Sequence, residues 1–300
     1  MKIQFENVDF FSTSGPNGFG LKLARQLLND GHKLSNSDPD VRLSFIQSMN
    51  DFSPTVLRLD GIWFNSEQDW KGQNEPIKRS FDHANAVIVQ SEFDKELVSR
   101  FFGERDNVKV IHNGTDIKAV TSIAAASIGI PREKVWMCAS SWRPHKRLYE
   151  NVRLFKEYAE PDHIMLVAGK DAEKYLTNDD ARIKIIGDLT WEQMISYMKA
   201  SKNFIHLAWL DHCPNVVVDA RAAGCHIWCS SAGGTVEIAG KDSTVVVEED
   251  WDFSPVHLYD PPHLKFDNII GGTKDLNINI TEVSLSYLTC LGDVFKNANE

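Results

Sequence analysis

The segment from Asp211 to Asp219, which reads DHCPNVVVD, combines residue types that favour the binding of an anion. It follows the apolar run NFIHLAW, which is typical of a buried strand. Pro214 suits the first position of a helix. The N–H groups of Asn215 and Val216 would then have no intrahelical acceptor and would point at a ligand, which predicts a phosphate site.

Two carboxylates stand on either side of this predicted helix start. Asp211 precedes the helix and Asp219 lies about one turn into it, so both could flank one ligand. The alternative is that Asp211 only caps the helix and that Asp219 is an exposed helical residue. Because Asp219 adjoins a buried run of valines, where an unpaired charge is costly, the sequence favours a partner for it.

A basic turn from Arg143 to Arg147, which reads RPHKR, follows the predicted strand KVWMCAS. Its fixed charges at the carboxyl end of a strand suit a diphosphate, since ligands of open α/β sheets bind there. The chain as a whole has a net charge of −10, so the local concentration is informative. The alternative is a solvated turn. Lys146 and Arg147 are both expected to face solvent.

A glycine-rich segment from Ser14 to Gly20 lies between a predicted strand and a predicted helix. Gly15, Gly18 and Gly20 match neither the dinucleotide pattern Gly-x-Gly-x-x-Gly nor a Walker loop. Two interpretations remain open, a phosphate-binding loop and a tight strand-to-helix turn.

Other chemistries find less support. His212 beside Cys213 has no second His or Cys cluster at ligand spacing, which disfavours a metal site or a Cys–His nucleophile. Paired carboxylates also serve glycoside hydrolysis, but the phosphate-binding features would then go unused. Five cysteines without a Cys-x-x-Cys pair disfavour a disulfide framework and fit a reducing, cytoplasmic setting.

The elements that position these residues alternate between short β-rich runs and helical segments, which predicts an α/β fold with parallel, doubly wound sheets. The length of 300 residues favours two domains. We expect an N-terminal domain over 1–120, a C-terminal domain over 131–276 and a helical tail over 277–300. No apolar run reaches the roughly 20 residues of a membrane helix. The acidic balance disfavours nucleic-acid binding.

The order of these motifs resembles that of the retaining, nucleotide-sugar-dependent glycosyltransferases of family four. DHCPNVVVDARAAG is similar to the family signature EGFPNVLLEAMACG, and SAGGTVEI and SSWRPHKRL resemble its GG-x-P-E segment and its basic loop. In the N-terminal half, SGPNGFG, ANAVIVQSEFDKELVSRFFG and VKVIHNGTD look like further family motifs. The resemblance runs from about residue 3 to about residue 247. It implies the GT-B fold, in which two Rossmann-like doubly wound domains face a central cleft.

The resemblance also implies roles for single residues. Lys146 aligns with the family's donor-phosphate lysine, whereas Ser141 stands where its partner arginine is usual, and Arg143 is close enough to substitute. Asp211 would address the sugar, and Asp219 would accept hydrogen bonds from the ribose. Both are glutamates in the family, so each side chain here is one methylene shorter. The complete set of implied donor-binding positions is Gly18, Ser141, Arg143, Lys146, Pro214, Asn215, Val216 and Asp219.

In the N-terminal half, Asp60 precedes Gly61 where the family usually has a catalytic-region histidine. Two interpretations of Asp60 remain open. It would either orient the acceptor hydroxyl or stabilise charge near the donor sugar, or it would hold its loop by pairing with Arg58.

The implied activity is transfer of a sugar from a nucleoside diphosphate sugar to a glycan or other hydroxyl acceptor, with Asp211, Lys146 and Asp60 as the catalytic candidates. Neither a metal ion nor another cofactor is expected, because basic residues and a helix start would stabilise the leaving diphosphate. One alternative is a non-catalytic nucleotide-binding protein with a degenerate site. Another is an epimerase or phosphorylase of the same fold.

Overall fold

The computed structural model describes residues 1–12, 14–49, 54–176 and 180–300. The chain forms two compact units. Unit 1 comprises Met1–Asp116, Phe253–Val256 and Asn277–Glu300, and unit 2 comprises Ile117–Asp252 and His257–Leu276.

Unit 1 is built on a six-stranded sheet of order β2-β1-β3-β4-β5-β6 in which every pair is parallel. The inner strands are almost wholly buried, as expected of a parallel sheet covered on both faces. Its elements up to residue 110 are β1 (Lys2–Glu6), α1 (Gly15–Asn29), β2 (Lys33–Leu34), β3 (Val41–Phe45), β4 (Thr55–Arg58), α2 (Trp70–His83), β5 (Ala86–Val89), α3 (Glu92–Phe102) and β6 (Val108–Val110).

Unit 2 is built on a seven-stranded sheet of order β13-β12-β11-β10-β7-β8-β9, parallel except for the pair β12–β13. Two 3-10 turns, Arg132–Lys134 and Pro144–Lys146, flank its first strand. The other elements are α4 (Ile117–Ser122), β7 (Val135–Ala139), α5 (Leu148–Tyr158), β8 (Ile164–Ala168), α6 (Ala172–Tyr175), β9 (Ile183–Gly187), α7 (Trp191–Lys199), β10 (Asn203–His206), α8 (Asn215–Ala222), β11 (His226–Ser230), α9 (Thr235–Ile238), β12 (Thr244–Val246) and β13 (Ile269–Gly271).

The last helix, α10 (Ile280–Asn297), returns to unit 1. Its apolar stripe joins the core that α1 forms with the sheet, and the Phe19 and Tyr287 rings lie 5.8 Å apart. The stripe has the three- and four-residue spacing of a core-facing helix. Its buried members are Ile280, Val283, Tyr287, Cys290, Leu291 and Val294.

The predicted α/β class with parallel sheets is confirmed. The unit limits differ from the predicted domain limits of 1–120, 131–276 and 277–300. Unit 1 ends its first segment at Asp116, and the predicted tail belongs to its core. Phe253–Val256 also counts with unit 1, because Val256 forms a bridge pair with Asn65. The edge strand β13 was not predicted, since its short run IIG lacks a strand-length pattern.

The glycine-rich segment is not a loop. The helix α1 already begins at Gly15, with Pro16 in its first turn, so Gly18 and Gly20 are helical residues. None of the helices within the described residues has the length and apolarity needed to cross a bilayer.

Candidate active site in unit 2

A cluster of charged side chains lies at the carboxyl edge of the unit 2 sheet. Lys146 ends the turn that follows β7, and His206 is the last residue of the adjacent parallel strand β10. Asp211 follows β10 and joins the two: its Oδ2 atom lies 2.5 Å from Lys146 Nζ and 2.8 Å from His206 Nε2. The Trp209 N–H also donates to the His145 carbonyl, which ties the two loops together.

The main chain around Asp211 is held by the glycine loop that follows β11. Asp211 forms a bridge pair with Gly233, and its carbonyl oxygen accepts a hydrogen bond of 2.7 Å from the Gly234 N–H. A Cβ atom on Gly233 would lie 2.6 Å from that carbonyl oxygen, and the residue has a φ of +98°. Glycine is therefore required there, which gives the SAGGTVEI motif a structural reason.

The electrostatics of the cluster favour an ionised Asp211. Burial alone would raise the pKa of the Asp211 carboxyl, but Lys146 and the hydrogen bond from His206 outweigh it and hold that pKa well below its usual range. Burial lowers the pKa of His206, against the opposing effect of Asp211. Burial and the Lys146 charge together lower the pKa of His145 to about 3. Both histidines are therefore neutral at pH 7.

The basic turn divides into residues with different surroundings. Ser141 and Arg143 are exposed, and Lys146 is 20% exposed in its ion pair with Asp211. The expectation that Arg147 faces solvent is wrong. Its side chain is buried, both terminal nitrogens lie 2.8 Å from the Glu248 carboxylate oxygens, and one also donates to the Pro262 carbonyl. Within this turn, therefore, Arg143 is exposed and Lys146 is partly exposed, whereas Arg147 is buried against Glu248.

The start of α8 lies one residue later than predicted. Pro214 is the N-cap, and its carbonyl oxygen accepts from the N–H groups of Val217 and Val218. The N–H groups of Asn215 and Val216 therefore precede the intrahelical hydrogen bonds, as an anion site at a helix start requires.

Asp219 lies inside α8 and is only 5% exposed. The indole N–H of Trp191, at the start of α7, donates a hydrogen bond of 3.0 Å to Asp219 Oδ2. The alternative of a solvated helix residue is thereby wrong for Asp219. The sequence did not identify Trp191 as the partner of Asp219, since tryptophans are usually core residues.

The remaining predicted site residues, Gly18 and Asp60, belong to unit 1. Gly18 is the fourth residue of α1, and a Cβ atom added there would meet nothing within 4 Å. Asp60 pairs with the buried Arg58 guanidinium and accepts a hydrogen bond of 3.0 Å from Gln90. Arg58 also donates to Asn113 and Tyr287 at 2.8 and 2.9 Å. This network favours the interpretation that Asp60 holds its loop.

The sequence reasoning missed His206. A histidine at the end of an apolar strand resembles an ordinary core residue, and only the fold shows that its ring reaches Asp211. In the part of the chain that the structure describes, no group of three or more His, Cys, Asp or Glu side chains could hold a metal ion. All five cysteines, each in a described segment, are buried and unbridged.

The family described as "Glycosyl transferases group 1" matches residues 125–253. This match confirms the resemblance to glycosyltransferases for that segment, which contains Lys146, His206, Asp211 and α8. Among curated proteins, none matches the chain.

The fold is that of GT-B glycosyltransferases. Anabaena Alr3699/HepE, solved with UDP and glucose, has a TM-score of 0.64 at 14% identity, over 100% of this chain and 99% of that chain. AviGT4, a glycosyltransferase involved in avilamycin A biosynthesis, has a TM-score of 0.64 at 12% identity, over 99% and 98%. Sucrose-phosphate synthase from Thermosynechococcus elongatus has a TM-score of 0.64 at 14% identity, over 83% and 86%. At these identities the likeness concerns the fold alone.

Proposed function

We propose that this chain, which carries a glycosyl transferases group 1 domain, transfers a sugar from a nucleoside diphosphate sugar to a hydroxyl acceptor with retention of configuration. The observation that carries the proposal is that, within that domain, Lys146 and the start of α8 both follow the carboxyl ends of neighbouring parallel strands. A cation and the first backbone N–H groups of a helix, at such an edge, suit a diphosphate.

The donor would bind through its phosphates and its ribose. Lys146, the exposed Arg143 and the N–H groups of Asn215 and Val216 would hold the diphosphate, with Ser141 and Pro214 beside it. Asp219, whose Oδ2 is oriented by Trp191, would accept hydrogen bonds from the ribose. UDP is the first nucleotide to test, since the Anabaena protein of the same fold was solved with UDP and glucose. Gly18 stays a further candidate for donor binding.

The chemistry would break the bond between the anomeric carbon and the diphosphate oxygen. Negative charge that develops on the leaving diphosphate would be stabilised by Lys146, Arg143 and the start of α8. The acceptor hydroxyl would attack from the face of departure, and its proton would pass to the leaving phosphate. Neither a protein base nor a metal ion is needed for this route. A catalytic role for Asp60 stays a prediction, which its pairing with Arg58 does not favour.

The proposal is tested by the binding of UDP and GDP to the whole chain in EDTA. Thermal unfolding should shift upward, since a ligand at 100 times its Kd stabilises by about 2.7 kcal/mol. Transfer or hydrolysis of the matching nucleotide sugar would then separate an enzyme from a non-catalytic binder. If no common nucleoside diphosphate raised the melting temperature at millimolar concentration, the donor site would be wrong.

Lys146→Ala should lower kcat/KM by about ten- to a hundredfold, because a charge-assisted contact contributes roughly 1.5–3 kcal/mol. Lys146→Arg should keep part of the activity, since the charge stays but the shape changes. The matched control is Lys134→Ala. Lys134 also pairs with an aspartate, Asp162, but it precedes β7 at the opposite end of the same strand. An equal loss in both alanine variants would contradict the assignment of Lys146.

A further inference from the structure

His206 is a buried residue for which the proposed chemistry has no task. Its side chain is 5% exposed at the end of β10, and its Nε2 atom lies 2.8 Å from Asp211 Oδ2. We propose that His206 is a positioning residue that fixes the Asp211 carboxylate, and that Asp211 in turn orients Lys146 toward the donor diphosphate. This inference rests on the proposed function, since it names a further residue of the same site.

The Asp211 carboxylate is held at both oxygens. Oδ1 accepts a hydrogen bond of 3.0 Å from the His212 N–H, while Oδ2 faces both His206 and Lys146. One carboxylate oxygen therefore receives two side-chain donors. With its own backbone tied to Gly233 and Gly234, Asp211 has a fixed position from which it can direct a flexible lysine.

Exposure increases along this chain of contacts. The side chain of His206 is 5% exposed, that of Asp211 11% and that of Lys146 20%. Lys146 is therefore the member that a ligand would meet. An ammonium group has three N–H donors, so one can stay on Asp211 while the others reach phosphate oxygens. Anchoring also reduces the rotamer freedom that a lysine would otherwise lose on binding.

His206 also limits how strongly Asp211 retains Lys146. Because His206 donates a second hydrogen bond to Oδ2, that oxygen attracts Lys146 less strongly. The lysine therefore remains able to contact a phosphate. Without the His206 N–H, Oδ2 would face Lys146 alone and would compete better with the diphosphate. The other charged or titratable neighbours of the cluster are Arg143, His145 and His212. None of them replaces the His206 contact to Oδ2 in the described contacts.

The test compares two uncharged substitutions of similar size. His206→Leu removes the N–H donor, and His206→Gln keeps one. The affinity for UDP and the kcat of sugar transfer should fall about three- to tenfold in the leucine variant, the effect of one hydrogen bond, and should be largely restored in the glutamine variant. The control is the same pair of substitutions at His226, whose Nε2 lies 2.8 Å from Thr244 Oγ1 at the amino end of β11. Neither His226 variant should change UDP affinity.

A double-mutant cycle separates positioning from general loss of structure. If His206 acts through Asp211 on Lys146, His206→Leu should change UDP affinity by less than about twofold in a Lys146→Ala background. An equal loss in both backgrounds would overturn the inference, as would wild-type affinity in His206→Leu. A wild-type chain that bound neither UDP nor GDP would instead overturn the proposed function itself. Should His206→Leu fail to fold, the cycle is run with Asp211→Asn, which should likewise change UDP affinity by less than about twofold once Lys146 is alanine; an equal loss in both backgrounds would overturn the inference.

Discussion

Lys146 and Arg147 are neighbours in sequence whose side chains have opposite surroundings. Arg147 has a φ of +51°, in the left-handed region, and its side chain is 1% exposed against Glu248. Lys146 points at Asp211 and is partly open. The two-pronged pairing of Arg147 with a carboxylate fixes the turn that presents Lys146, so the arginine contributes to the site through structure rather than through contact with a ligand.

Arg147→Ala should lower the free energy of unfolding by about 3–5 kcal/mol, because it leaves the buried Glu248 carboxylate without its cation. Arg143→Ala, an exposed position in the same turn, should change the free energy of unfolding by no more than about 0.5 kcal/mol. Urea unfolding of both variants measures this difference. Similar stability of the two would mean that the Arg147–Glu248 pair does not hold the turn.

His145 makes the stability of the chain sensitive to acid. Its pKa is lowered from 6.5 to about 3, so the folded state favours the neutral ring and the unfolded state binds a proton first. The free energy of unfolding should therefore fall as the pH decreases from about 6.5 toward 3. His145→Gln should reduce this fall. Melting temperatures measured above and below pH 6.5 separate the effect of the proton from that of lost packing. If the melting temperature of the variant fell with decreasing pH as steeply as that of the wild type, the role of His145 would be contradicted.

At the residue scale, the sequence indicated candidate site residues only where a motif carried the information. The spacing of the basic turn and of DHCPNVVVD led to Lys146, Asp211 and Asp219. The burial of Arg147 could not be predicted from the sequence, because its partner Glu248 lies 101 residues away in the chain. Likewise, nothing near His206 in sequence indicates that its ring meets Asp211 after the chain turns.

At the scale of elements, the first turn of α1 departs most from the expectation. Glycines and proline between a strand and an apolar repeat are typical of a loop, yet the helix begins at Gly15. Pro16 fits a first helical turn because its missing N–H is not needed there. Gly20 allows close packing: a Cβ atom there would lie 2.9 Å from Val8 Cγ1 and 3.4 Å from Phe45.

Gly18→Ala and Gly20→Ala should therefore differ. Gly18→Ala should raise the free energy of unfolding by about 0.5–1 kcal/mol, since its Cβ atom meets nothing and alanine favours a helix interior. Gly20→Ala should not give this increase in the free energy of unfolding, because the Val8 side chain would have to move. Denaturant unfolding of the two variants gives the comparison, and equal gains would contradict it. UDP titration of Gly18→Ala separately tests the predicted role of Gly18 in donor binding.

At the scale of the whole molecule, alternating strand and helix patterns were sufficient to predict two parallel α/β sheets. They were not sufficient to assign the last helix. The stripe of α10 is ordinary for a helix that covers a core, and its sequence does not say which core. The structure assigns it to unit 1, where Tyr287 is fully buried, packs beside Phe19 and accepts a hydrogen bond of 2.9 Å from Arg58 Nε.

The core role of α10 predicts a large difference between two leucines of the same helix. Leu291 is fully buried in the unit 1 core, whereas Leu285 is 50% exposed. Leu291→Ala should therefore lower the free energy of unfolding by about 2–5 kcal/mol, through lost burial and the cavity that remains. Leu285→Ala, the same substitution in the same helix, should change it by no more than about 0.5 kcal/mol. Unfolding followed by the fluorescence of tryptophans and by circular dichroism would measure both. If Leu291→Ala were as stable as Leu285→Ala, α10 would not be part of the unit 1 core, and residues 277–300 would act as the separate tail that the sequence predicts.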